Sequence, residues 1–432
     1  MLDPLRTPGK ADPPSFTMPY HRSVPHRISS VIALAALLVS AGCGAGSPED
    51  RGAGEPAARI EHLKSLGYVS WDEGADPSRS GVTLFDETRT SPGYNFYTDD
   101  VDKVFLTDLH GRKIREWHLP PGKRQCEYAI LLGDGGLVAE CVDQSLTRIG
   151  PSSEVIWDLP FPAHHDIAPL ADGSFLVPYL ENREYQGRQV GFDGIARVDA
   201  AGHPSNLWSS FERLDELRPY HSGSKLDVPP GSAGDPLKGW EQGFEYFHLN
   251  SVQALPRTPL GERDRRFRAG NLLICLRNMN LLVILDQDGL GVTWSWGGDE
   301  LDLPHMPRML PDGHILLFDN GTYRGWSRVL EIEPESGRVV WSYEGTPRES
   351  FFSKWRGGAQ RLPNGDTLIC ESERGHVIEV TPDKKIVWEF WNPEIVGTKR
   401  KRIYRFARLE PPVVESLVPR GSATQPGDGV TR

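Results

Sequence analysis

The chain has 432 residues, with 45 glycines, 36 prolines and a formal net charge of −11. That charge excludes nucleic acid as a main partner, because a phosphate backbone is met by a basic surface. Abundant turn residues and scarce long apolar helical patterns exclude a helical bundle and point to a β-rich protein.

From the N-terminus, Arg22 and Arg27 precede an apolar run at 32–39 that ends in the small residues Ser40, Ala41 and Gly42 before Cys43. The run is too short to span a bilayer, which takes about 20 apolar residues, and reads as an export signal. Ser-Ala-Gly-Cys resembles a bacterial lipoprotein box with Cys43 as the lipidated residue. Residues 1–43 are thus expected to be a lipoprotein-type signal peptide. The mature chain is expected on the periplasmic face of a bacterial membrane or, if cleaved without an anchor, in the soluble periplasm. Residues 44–80 read as a flexible tether rich in Gly, Ala, Pro and Glu, with a short helix at 59–66.

From residue 81 the chain repeats. AILLGDGGLVAEC (129–141), IAPLADGSFLVPY (167–179), RMLPDGHILLFDN (308–320) and QRLPNGDTLICES (360–372) are each an apolar strand, an Asp-Gly or Asn-Gly turn and a second apolar strand. A further pair of short strands follows, the last carrying Trp117, Trp157, Trp208, Trp294, Trp341 or Trp388, at spacings of 40, 51, 86, 47 and 47 residues. Four strands per period of this length mark an all-β fold, a six-bladed β-propeller of four-stranded antiparallel blades over 81–410. Its first blade would hold strands near 82–85, 94–98 and 104–108. An insertion at about 210–246 explains the long gap, 403–409 reads as an added closing strand, and 411–432 as a disordered tail.

Eight residues before the turn glycine lie Glu127, His165, His305 and Gly357 in blades two, three, five and six. In blade four the loop is longer, and alignment on the strand at 248–255 instead places Asn250 in the slot, with His248 two residues earlier on the same strand face. Such slots begin the inner strands, so their side chains should converge at one mouth of the central channel. A lone histidine at a strand start is usually a satisfied hydrogen-bonder; three in consecutive blades point to a site. Arg277, ending the second strand of blade four, adds a planar, fixed charge suited to an anion. His164 should face the opposite way, and His118, His203, His221, His314 and His376 fall in loops or outer strands. Cys141, Cys275 and Cys370 occupy equivalent repeat positions. Cys126 is offset from Cys141 by two residues, a diagonal of about 7–8 Å at the limit for bridging, so mostly free, buried cysteines are expected.

With HHDIAPLADGSFLV, FHLNSV followed by LICLRN, PHMPRMLPDGHILLFDNGTYRGWSRVLEIEPESGRVVWSY and AQRLPNGDTLICESERGHVIEVTPDKKIVWEFWNP, the chain resembles the bacterial arylsulfate sulfotransferases over about 81–410. FDNG followed closely by SRV is the most specific piece, since plain propeller repeats do not require it. The resemblance implies a six-bladed propeller that moves a sulfuryl group from a phenolic sulfate ester to a phenolic acceptor. The route is ping-pong, through a sulfohistidine. It further implies His305 as nucleophile, His248 and Arg277 as holders of the sulfuryl oxygens, His165 as the remaining catalytic histidine and Asn250 as a substrate contact. It implies no cofactor and no metal, and raises a homodimer as an assembly. The flank of His305, Pro304 and Met306, departs from the polar and aromatic neighbours of the exported members. A different reading is a non-catalytic, lipid-anchored propeller that binds an anionic or sulfated ligand. A quinone-dependent dehydrogenase would need eight blades and an acidic calcium site. A zinc site at His165, His248 and His305 would place a cation beside Arg277.

Overall fold

The computed structural model describes residues 72–417, except 74, 99–101, 122–125, 143, 186–187 and 221–243. The signal peptide, Cys43 and the helix expected at 59–66 lie outside them. Six small antiparallel sheets form a ring, a six-bladed β-propeller. From the channel outward, the second blade is Tyr128–Leu131, Leu137–Cys141, Ser145–Ile149 and Val155–Leu159. The fourth is Leu249–Ala254, Leu272–Leu276, Leu281–Leu285 and Val292–Gly297, and the fifth His305–Met309, Ile315–Asp319, Arg328–Glu333 and Arg338–Glu344.

Two blades close the ring, and here the expectation for blade one is corrected. Its innermost strand is Phe406–Leu409 from the C-terminal end, followed outward by Tyr94–Thr98, Lys103–Thr107 and Lys113–His118. Gly81–Phe85, expected in blade one, is instead a fifth, outer strand of blade six. It pairs with Ile386–Trp391 outside Gly358–Arg361, Thr367–Glu371 and His376–Val380. Both ends of the propeller therefore act as clasps. The start of the tail expected at 411–432 is corrected: Pro411–Glu415 is a helical turn, and its Val414 is buried between blades one and two, while 418–432 lie outside the described residues. Among the described residues no helix is long and apolar enough to cross a membrane.

One apolar cluster fills each of the six junctions between blades. A four-stranded sheet has two faces, and each is covered only by its neighbour. The repeated tryptophans do part of this sealing. The indole N–H groups of Trp157, Trp294, Trp341 and Trp388 donate across the junction to the carbonyls of Ala200, Pro334, Pro382 and Leu109 at 2.8–3.2 Å. In every blade the register between third and fourth strands slips once, which raises the local twist that a blade needs.

Blade three departs from the pattern. Its inner strand, Ala168–Pro169, is short, while Phe175–Tyr185 and Arg188–Val198 pair over their full eleven residues outside it and inside Pro204–Ser209. The insertion after it contains the helix Leu214–Leu217 and then lies outside the described residues until Phe244–Glu245, which pairs parallel with Val190 and Gly191. Tyr246 stacks on Phe192 of the long ribbon with ring centroids 5.2 Å apart, anchoring the approach to His248.

The expectation of free cysteines holds for Cys275 and Cys370, both buried. It fails for Cys126 and Cys141, which form a disulfide. The regular strand begins only at Tyr128, so Cys126 does not continue the diagonal register; its Cα lies 3.9 Å from that of Cys141.

Candidate active site

The slot residues stand where the inner strands begin. His165 and His248 sit just ahead of their strands with φ of 68° and 53°, and Met306, after His305, has φ 52°. Left-handed backbone costs a non-glycine residue on the order of 1 kcal/mol or more, and such strain gathers at functional sites. In blade six the slot is Gly357, where a Cβ would come within 2.5 Å of the Phe318 ring.

The rings of His165 and His248 lie 4.6 Å apart, and that of His164 is 4.9 Å from His165. His248 Nδ1 pairs with Glu245, three residues earlier. Burial alone would raise the Glu245 carboxyl, but the His248 ring, with His164 and Arg277, holds it down to about 2. Arg277 begins the turn after its strand, and the N–H groups of Arg277 and Asn278 donate to the carbonyls of His248 and Phe247. Its guanidinium lies over the Trp355 ring at 5.3 Å, and its buried Nε has no hydrogen-bond partner among the described residues. A buried arginine with an unspent donor suits an anion.

His305 is 3% exposed. Its Nδ1 lies 2.7 Å from Asn320 Oδ1 and 3.3 Å from the Leu303 carbonyl. Burial first, then the charges of Arg277 and His248, hold its pKa well below the ordinary value. Burial likewise lowers His165 and His248, and His164 to about 4. The imidazoles are therefore neutral near pH 7. Asn250, expected as a substrate contact, is fully buried, and its amide donates to the Pro304 carbonyl at 2.8 Å, steadying the peptide in front of His305.

Several further residues surround the histidines, and of these only Glu127 carried a repeat signal. The Tyr404 hydroxyl lies 2.9 Å from His165 Nδ1, and its ring stacks on the imidazole. Glu127, a slot residue, binds Arg356 at 2.9 Å and Arg402 at 3.3 Å. Below the histidines, Asp166 meets Arg405 and Arg308. His376, expected in a loop or outer strand without a task, begins the third strand of blade six, buried between Glu371 and Glu389. His165, His248 and His305 do not gather their ring nitrogens within 4.8 Å of one another; among the described residues Asp312, His314 and Glu331 bring two carboxylate oxygens and a ring nitrogen within that distance, with Arg361 already paired to Glu331.

No curated protein matches the sequence. Among solved structures, a protein of unknown function from Bacteroides caccae is similar at 15% identity and TM-score 0.45, over 72% of this chain and 98% of its own. A catalytically inactive variant of virginiamycin B lyase from Staphylococcus aureus, with quinupristin, is similar at 11% identity and TM-score 0.41, over 73% and 88%. The sequence profile described as arylsulfotransferase (ASST) matches residues 132–393, which takes in His165, His248, Arg277 and His305. A match across more than half of the chain places this protein in the arylsulfotransferase family.

Proposed function

We propose that the protein transfers a sulfuryl group from a phenolic sulfate ester to a phenolic acceptor in two steps. In the first, a nitrogen of His305 bonds to sulfur as the S–O bond to the aryl oxygen breaks, and the phenolate leaves with the electron pair. In the second, the acceptor oxygen bonds to sulfur and the N–S bond breaks, returning neutral His305. The observation that carries this reading is a buried His305, held neutral by burial and by the charge of Arg277, whose own buried Nε has no hydrogen-bond partner among the described residues. A neutral imidazole is a competent nucleophile. Charge builds on the sulfuryl oxygens as the bonds exchange, and fixed cationic donors stabilise it. His248, oriented by Glu245, and His165, held by Tyr404, are the groups available to take the proton of the acceptor phenol. We also propose that the chain is exported and anchored through Cys43, on the small-residue box that follows a short apolar run.

The test is release of 4-nitrophenol from 4-nitrophenyl sulfate, with and without an added phenol, followed by intact mass after donor alone. One added SO₃ group, absent in His305→Ala together with all turnover, is the expected result. An unmodified mass and no phenol release would leave a propeller that binds sulfated ligands without reacting.

A further inference from the structure

We propose that Asn320 is a positioning residue that fixes the tautomer of His305, so that Nδ1 carries the proton and Nε2 is the nitrogen that bonds to sulfur. The sulfur half of this statement rests on the function proposed above; the tautomer half does not.

The Asn320 amide is fully buried just beyond the second strand of blade five. One end of it lies 2.7 Å from the Ser353 carbonyl and 2.8 Å from the Arg356 carbonyl. Carbonyl oxygens only accept, so the group facing them is the NH₂, and its two protons are both used. The other end is therefore the oxygen, and it faces His305 Nδ1 at 2.7 Å. A second acceptor, the Leu303 carbonyl, stands 3.3 Å from the same nitrogen. Nδ1 meets two acceptors, so it must donate. In a neutral imidazole the other nitrogen then holds the lone pair. As Nε2 bonds to sulfur and the ring gains positive charge, the Nδ1–H bond to Asn320 strengthens, which favours the sulfated intermediate.

The same contacts give a task to the FDNG…S segment that the repeat alone does not require. Asp319 Oδ1 accepts the Asp302 N–H at 2.8 Å and pins the approach to His305. Leu303 is held in turn by its N–H to Asn280 Oδ1 at 2.8 Å. Gly321, at φ 67°, follows Asn320 where a Cβ would collide with the Trp326 carbonyl. Ser327 donates to the Asn320 carbonyl at 2.6 Å and accepts the Ser353 N–H at 2.9 Å, tying both walls of the Asn320 pocket together. Together, Asp319, Asn320, Gly321 and Ser327 fix one ring in one orientation.

The experiment is ¹⁵N NMR of the full chain with labelled histidine, the His305 signals being assigned by loss in His305→Gln, without substrate. The expected spectrum has a protonated Nδ1 and an unprotonated Nε2 at neutral pH. Asn320→Asp keeps an acceptor at Nδ1 and should keep that tautomer, while Asn320→Ala should shift the ring toward a mixture. With 4-nitrophenyl sulfate, the adduct should lie on Nε2, and Asn320→Ala should lower kcat by roughly 10- to 100-fold, as expected for the outer hydrogen-bond partner of a functional histidine, with KM little changed and Asn320→Asp recovering part of the rate. A wild-type spectrum with protonated Nε2, or an Asn320→Ala protein with unchanged tautomer and rate, overturns the proposal. Should Asn320→Ala not fold, the wild-type spectrum decides alone. The expected tautomer with no adduct would uphold the role of Asn320 and reject sulfuryl transfer instead.

Discussion

Arg405, at the start of the closing strand, places Nη1 2.6 Å from Oδ1 of Asp166, the residue that follows His165. The pair joins the chain's last blade-forming segment to blade three. Asp166 also accepts from Arg308 at 2.8 Å and from the Val252 N–H at 3.0 Å, and Arg405 donates to the Asn250 carbonyl at 3.0 Å. Residues from blades one, three, four and five thus meet on one carboxylate beneath the histidines. Burial would raise the Asp166 pKa, but the two arginines and the backbone donor override it and hold it low.

Asp166→Ala should accordingly destabilise the propeller strongly, because it leaves two arginines without their carboxylate. Loss of one partner of a buried ion pair typically costs about 3–5 kcal/mol. Denaturant unfolding measures it; a loss below about 1 kcal/mol would mean that water or chain relaxation replaces the carboxylate.

Arg277→Lys should keep the charge and lose the planar group over Trp355. Turnover of 4-nitrophenyl sulfate should fall by roughly 100-fold, in the range for removal of one donor that stabilises transition-state charge. Unfolding free energy should change by less than about 1 kcal/mol. Equal activity in the two proteins would show that charge alone is needed.

Stability should fall as pH drops from 7 to 5. His164, lowered to about 4, and His165, His248 and His305 are neutral when folded, chiefly through burial. Below the unfolded pKa of about 6.5, the unfolded chain binds protons that the native state does not, which favours unfolding. His164 alone accounts for on the order of 3 kcal/mol by pH 4. His376 works in the opposite sense: burial would lower it, but Glu371 and Glu389 raise it. Its contribution is complete below about 6.5 and is lost as pH rises through its folded value. Asp366, Glu373 and Glu379, raised chiefly by burial, act in the same sense as His376; the four buried histidines should outweigh these groups. Unfolding curves at several pH values test the balance, and constant or rising stability toward pH 5 would contradict it. The rate of sulfuryl transfer should also show no acid limb near 6.5, because His305 stays neutral there.

Cells expressing the full chain in the presence of labelled palmitate should yield labelled protein in the membrane fraction, and Cys43→Ser should abolish the label. Unlabelled protein released with the soluble periplasm would leave a cleaved signal without an anchor.

Local sequence was sufficient for the ring and the slots. Asp-Gly and Asn-Gly turns, apolar strands and six spaced tryptophans are short-range patterns, and each blade is built from one local unit. Because the same position in each unit faces the channel, alignment on the turn glycine picked out His165 and His305, and alignment on the strand at 248–255 picked out His248. What depended on closing the ring was not legible. Tyr404 and Arg405 reach His165 and Asp166 across 239 residues, and no local periodicity marks such partners. Gly81–Phe85 looked like part of blade one because it precedes that blade in the chain, but an outer edge is set by pairing and not by order. The Cys126 disulfide depends on where a strand begins, and strand ends are set by tertiary contacts. The orientation of His305 is the furthest from local sequence. Its tautomer follows from which end of the Asn320 amide faces it, and that follows from two carbonyls that reach Asn320 only in the folded chain.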